Sequence, residues 1–205
     1  MNLREKLAAG FMRAAAARMW GFPPNLMRDI VLHLGAGGGL KWFLSSMPRY
    51  EKAMKLLGPL RGHLICIEAS LLNGCAYCTF AHAYAFELLY FHKKSTLFPL
   101  DEHQLTRLRN GSDEAVRAAL IAALSEAGLP DEIAVVERVW QLKFDGVAAR
   151  GAEDQLLRSL LEMFDVLNYC TIDGRTPLDL EAHDPINKDQ ALRLRYAEAR
   201  LAQRG

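Results

Sequence analysis

The sequence predicts an all-α fold. Apolar positions recur at helical spacing along most of the 205 residues, and no segment sustains the period-two alternation of β-branched residues that marks a strand. The helical stretches start near Asp, Ser, Ala or Asn and stop near Gly or Pro, the punctuation that helix termini require.

Residues 2–20 form the first such stretch, closed by Gly21 and Pro23-Pro24. A second runs from Asn25 to Leu34 into Gly35-Ala36-Gly37-Gly38-Gly39, and a third continues to Met47 before Pro48. The glycine run fails as a dinucleotide fingerprint, because Leu40 stands where a third glycine is needed. It fails as a phosphate loop because Lys41-Trp42 replaces Lys-Ser/Thr, so it reads as a flexible helix connection. Residues 48–57 make a short helix, Gly58-Pro59 separates it from residues 60–72, and a helix over 75–93 follows directly. Further helices are expected over 101–109, 112–127, 131–144, 152–169 and 187–203. The last one surrounds Leu192, Leu194, Tyr196 and Leu201 with Lys188, Arg193, Arg195, Glu198 and Arg200, which suits a solvated face or a contact between copies.

No low-complexity linker divides the chain, so residues 1–205 are read as one domain, with 1–47 as an N-terminal helical extension. Twenty-five Lys and Arg against 24 Asp and Glu leave no global field that favours nucleic acid or an anionic membrane surface. No apolar run approaches transmembrane length, and Arg13 and Arg18 interrupt the N-terminal alanines where a signal peptide would be uninterrupted. Four cysteines are too few for a disulfide scaffold and two stand at redox spacing, which points to a reducing, cytoplasmic setting.

Those two belong to Cys75-Ala76-Tyr77-Cys78-Thr79-Phe80-Ala81-His82. At about 100° per residue, positions 75, 78 and 82 fall within roughly 60° of one another, so two sulfurs and an imidazole share one stripe. Asn73 or Gly74 is expected to cap the helix start. Cys75 and Cys78 then lie in its first turn, where free N–H groups and the macrodipole favour a thiolate. Such a pair can cycle between dithiol and disulfide: a thiolate attacked by peroxide becomes a sulfenic acid, and its neighbour condenses with it. His82, one turn beyond Cys78, can take the thiol proton and return it to the leaving oxygen.

An orienting carboxylate is sought on the preceding helix. On a wheel with Leu60 at zero, Leu60, Leu64, Ile67 and Leu71 fill an arc from about −20° to +40°, while Ile65 and Leu72 lie near roughly 120° to 140°. Glu68 falls between them, where desolvation would raise its pKa toward a range useful for proton relay. His63 lies about 140° from Glu68, too far for both to reach one site from a straight helix, and Glu68 is the choice. The rival for these residues is zinc held by Cys75, Cys78 and His82, with His63, Cys66 or Glu68 as fourth ligand. It is disfavoured because one helix seldom wraps three ligands around a tetrahedral ion. A scaffold without catalysis is the remaining alternative. Cys66 and Cys170 read as core thiols, Tyr77 and the tryptophans as packing, and His33, His92, His103 and His183 lack a partner at ligand spacing.

Residues 69–82, Ala-Ser-Leu-Leu-Asn-Gly-Cys-Ala-Tyr-Cys-Thr-Phe-Ala-His, resemble the signature of the AhpD-like proteins of the alkylhydroperoxidase and carboxymuconolactone decarboxylase superfamily. The similarity covers about residues 60–90 and omits the first 45 or so. The resemblance implies an all-helical homo-oligomer that reduces a small hydroperoxide, with Cys78 attacking, Cys75 resolving, His82 relaying protons and an external thiol or dithiol as reductant. It implies no cofactor and no metal. The relay glutamate of that family stands about twelve residues before the first cysteine, and His63 occupies that position here.

Overall fold

A computed structural model describes residues 1–204, and among them helices account for all regular structure. Nine α-helices follow in order: α1 (Leu3–Trp20), α2 (Leu26–Leu57), α3 (Pro59–Leu72), α4 (Ala76–Lys94), α5 (Glu102–Arg107), α6 (Asp113–Glu126), α7 (Pro130–Lys143), α8 (Gly151–Asp173) and α9 (Gln190–Arg204). Short 3-10 turns lie over Leu108–Asn110 and Pro185–Lys188. No helix among the described residues is long and apolar enough to cross a membrane.

Local chemistry explains most boundaries. Asn2 and Glu5 close a reciprocal capping box at α1, Asp101 and Gln104 do the same at α5, and Ser112 caps α6. Gly21 ends α1 in the left-handed region, where its missing Cβ removes the steric penalty.

The second, third and fourth sequence segments differ from expectation, because they join into the single α2. Gly35 alone leaves helical geometry (φ 72°, ψ 166°), and the helix resumes at once through the remaining glycines. Gly39 is needed there for contact: a Cβ at this position would lie 3.1 Å from Val31 Cγ2, so the two limbs of the kink pack backbone to side chain. Pro48 lies inside α2 without ending it. The carbonyl of Leu44 that proline leaves without a donor is on an exposed turn, where water can bond it.

The centre of the molecule is the antiparallel pair α3 and α4. Nearly every side chain of α3 from Gly62 to Leu71 is buried, so this helix is apolar all round rather than amphipathic. α1, α2 and α8 pack over one side of the pair, where Met12, Ile30, Phe43, Ile65, Cys78 and Phe164 share one core. α5, α6 and α7 cover the other through Phe86, Phe98, Leu105, Leu120 and Val136. α9 lies against α4 through Leu192 and Tyr196. It is also held by a buried ion pair, in which Arg200 donates to Glu87 at 2.7 Å. Arg200, read from sequence as part of a solvated face, is therefore interior.

Candidate active site

The site begins at the turn between α3 and α4. Gly74 (φ 76°) adopts a left-handed conformation, while Gly74 N–H donates to Leu71 and Cys75 N–H to Ser70. This reversal leaves Cys75 extended and makes it the cap of α4: its sulfur accepts the N–H of Cys78 at 3.3 Å. Cys75 thus takes the capping role that the sequence reading gave to Asn73 or Gly74. Asn73 instead bonds Asp165 and Lys143 with its side chain. Cys78 occupies the third helical position and His82 the next turn, so these two share a buried stripe of α4, while Cys75 stands just outside the helix against Cys78.

α8 adds a residue that the sequence reading did not select. Thr171 Oγ1 lies 3.0 Å from Cys75 Sγ and 3.9 Å from Cys78 Sγ. Hydrogen bonding from the Cys78 thiol holds the Cys75 thiol down at about 7 against its burial, with further help from Thr171 and the N–H groups of Cys78 and Tyr77. Burial pushes the Cys78 thiol well up, and the adjacent Cys75 sulfur adds to the shift. When the pair ionises, the charge therefore rests on Cys75 and accepts the S–H of Cys78.

His82 meets His63, not Glu68. The two Nδ1 atoms are 2.9 Å apart, and His63 Nε2 lies 3.0 Å from Asp184 Oδ2. These contacts fix the protons. A carboxylate accepts only, so His63 Nε2 carries its hydrogen, and in the neutral ring Nδ1 is then the bare acceptor. His82 must then donate from Nδ1, which leaves His82 Nε2 as a lone pair. Burial, with His63 and His183 as neighbours, keeps the His82 imidazole well below its usual pKa and hence neutral.

Glu68 stands apart from this group. Its carboxyl is buried with neither oxygen bonded, and burial raises its pKa, with Glu137, Arg117 and Lys143 as its charged neighbours. The 140° between Glu68 and His63 on α3 is realised as opposite outlooks, and it is His63 that faces the cysteine helix.

The irregular segment between α8 and α9 supplies the remaining polar groups. His183 N–H donates to the Ala81 carbonyl, and Asn187 bridges the Ala182 N–H and the Trp20 carbonyl, which pins the segment across α4 and α1. Asp184 uses both oxygens, Oδ1 accepting from Ile186 N–H at 2.7 Å and Oδ2 facing His63. Tyr77 donates to Asp179 and accepts the Leu26 N–H at 3.4 Å, so this aromatic is tied by its hydroxyl as well as packed. His183 stacks on Trp20 with ring centroids 4.9 Å apart and places Nε2 3.4 Å from the Tyr77 hydroxyl. The readable signal for these groups is Asp179, His183 and Asp184 crowded into one stretch that carries no helical pattern.

Cys78, His82 and His183 line a narrow, mostly apolar cleft. Its walls come from Trp20, Leu26, Met27, Trp42, Met47 and Tyr50 on one side and α8 on the other. Half of the enclosure is thus built by the first 50 residues, largely outside the segment that carries the sequence resemblance. Cys75 faces away, into a separate cleft with Arg109, Arg175 and Thr176. All four cysteines are free thiols. Among the described residues, no three His, Cys, Asp or Glu side chains converge as metal ligands, so the zinc arrangement finds no ligand set. Compared with known proteins, the chain matches no family model, no curated protein and no solved structure.

Proposed function

We propose that this protein is a thiol peroxidase of the AhpD-like kind, reducing hydroperoxides through a disulfide between Cys75 and Cys78. The observation that carries the reading is that Cys78 and the buried, neutral His82 line one apolar cleft, with the readily ionised Cys75 thiol against Cys78 behind it. The organic group of a hydroperoxide lies among Trp20, Met27, Trp42 and Phe164, with its O–O bond at Cys78. His82 Nε2 takes the Cys78 proton, and the thiolate attacks the terminal oxygen, giving a sulfenic acid and an alkoxide that receives the proton. The Cys75 thiolate then attacks the sulfenic sulfur, and hydroxide leaves as water on gaining a proton. Two thiols lose two electrons, the O–O bond gains them, and no proton is consumed beyond the one the resting anion lacks.

An external thiol or dithiol reopens the bond and leaves as a disulfide. A reducing, cytoplasmic setting and assembly with further copies of the chain belong to the same reading. The relay glutamate that the resemblance implies is replaced here by His63.

The test is thiol trapping and mass spectrometry after one equivalent of cumene hydroperoxide. The expected result is loss of two thiols, mapped to Cys75–Cys78 and reversed by a dithiol. Cys78→Ser should end turnover. Retained turnover in that variant, or thiols unchanged in the native protein, refutes the reading and leaves a non-catalytic scaffold.

A further inference from the structure

Asp184 belongs to two places at once. Its Oδ2 touches the inner site through His63, while its side chain, 13% exposed, lines an outer cleft with Arg18, Glu51, Lys55 and Lys188. Trp20 and Tyr50 contribute to the walls of this cleft and of the peroxide cleft, so they form the partition between them. The route His82 Nδ1, His63 Nδ1, His63 Nε2, Asp184 Oδ2 crosses that partition in two contacts of 2.9 and 3.0 Å.

We propose that Asp184 and His63 are positioning residues that hold the hydrogen of His82 on Nδ1, so that Nε2 is the base for Cys78, and that they exchange protons between the buried site and the outer cleft. The inference rests on the peroxidase reading for the identity of the reaction, but the placement of hydrogens is a property of the resting protein. When His82 Nε2 gains the Cys78 proton, its Nδ1 hydrogen can pass to His63 Nδ1 and the His63 Nε2 hydrogen to Asp184. The same steps in reverse return a proton to the alkoxide. In the forward step each ring takes up one proton and gives up another, which reverses both tautomers, and the return step restores them together with the Asp184 carboxylate.

The surroundings favour this direction of bonding. Around His82 stand Cys78, His63 and His183, with Tyr50 and Phe164 against the ring, and none of them is a carboxylate. The carboxylate is placed one ring further out, beside Lys55 and Lys188. Burial raises the Asp184 pKa, but the bonds from His63 and from the Ile186 N–H outweigh it and keep the group ionised. A carboxylate in this place imposes one tautomer on two rings, as an amide would not.

Nitrogen NMR of the reduced, ¹⁵N-histidine-labelled full chain reads the hydrogens directly. In the native protein His82 should show a protonated Nδ1 and a bare Nε2, and His63 the reverse. Asp184→Asn can turn its amide N–H toward His63 Nε2, which would move the His63 hydrogen to Nδ1 and the His82 hydrogen to Nε2. Cysteine oxidation by cumene hydroperoxide should then slow on the order of a hundredfold, the span of one general base, and Asp184→Glu should restore both tautomer and most of the rate. A His82 that carries its hydrogen on Nε2 in the native protein overturns the proposal, even if the variant fails to fold. So does an Asp184→Asn protein in which the tautomers change and the oxidation rate does not. Native tautomers as expected, with thiols that no hydroperoxide oxidises, would instead retire the peroxidase reading and leave the relay standing.

Discussion

Thr171→Val removes a hydroxyl from the Cys75 sulfur while keeping the volume of the side chain. The hydroxyl has a single hydrogen and three claims on it: Cys75 Sγ, the Leu167 carbonyl and the Asn168 carbonyl, each at 3.0 Å. When Cys75 ionises, the hydrogen gains by turning from a carbonyl to the thiolate. A bond to a charged acceptor contributes about 1.5–3 kcal/mol and the neutral bond it replaces about 1 kcal/mol, a difference of about 0.5–2 kcal/mol. At about 1.4 kcal/mol per pKa unit, the Cys75 thiol should rise by about one unit. It starts at about 7. The thiolate share at neutral pH would then fall from about half to about a tenth, and peroxide oxidation at pH 7 by about fivefold if the anion is the reacting state. Ultraviolet thiolate absorbance, titrated with Cys75→Ser as the blank, measures the midpoint. In the native protein the rate should fall about tenfold per unit below pH 7 and level off above it. An unchanged midpoint in Thr171→Val would show that the N–H groups of α4 and the Cys78 thiol hold the anion without the hydroxyl.

Two further predictions concern buried carboxyls. Glu68 has its pKa raised well above the ordinary value by burial and makes no hydrogen bond, so it binds a proton that the unfolded chain releases above about pH 4.3. Native stability should therefore decline with pH from there until the folded group ionises, by up to about 1.4 kcal/mol per unit. Glu68→Gln should abolish that slope in urea melts and leave disulfide formation within about twofold; a loss of peroxide reactivity would return Glu68 to the relay. Arg200→Met leaves Glu87 buried without its cation and should cost about 3–5 kcal/mol in urea, whereas Glu87→Gln with Arg200→Met should recover most of it. Equal losses in the single and double variants would show that the packing of α9, not the charge pair, is what the substitution disturbs.

The helices were legible in sequence because each has its own local punctuation. Asp101, Ser112 and the glycine after α1 work through hydrogen bonds and backbone angles that short spacing records. The continuity of α2 was not, because whether a proline or glycine ends a helix depends on what its freed carbonyl or open side meets: water at Leu44, Val31 at Gly39. The shared stripe of Cys78 and His82 followed from helical period alone, whereas the place of Cys75 is set by the turn at Gly74. Thr171, His183 and Asp184 lie 96 to 121 residues further along than the side chains they bond, and no local pattern encodes such pairings. The choice between Glu68 and His63 failed at a definite step. The wheel gave their separation correctly, but an apolar arc surrounds all of α3, so burial could not say which side of the helix faces the cysteines.

The position of the carboxylate explains why a histidine can stand where the resemblance implies a glutamate. An ionised glutamate at position 63 would sit fully buried against the ring of His82, and the desolvation of a charge in such a place amounts to several kcal/mol. Its usual response is to take up a proton, after which it can no longer define the tautomer of its partner. A neutral imidazole carries the same instruction, donor on one nitrogen and acceptor on the other, without a charge in the interior. The charge is moved to Asp184, where the N–H groups of His63 and Ile186 offset its burial. The cost is a longer chain that must be held in line, and the strap from His183 to Asn187, bonded to Ala81, Trp20 and its own backbone, does that holding. Restoring a glutamate at position 63 would therefore not improve the site: it would bring a second carboxyl against Asp184, and one of the two would have to hold a proton.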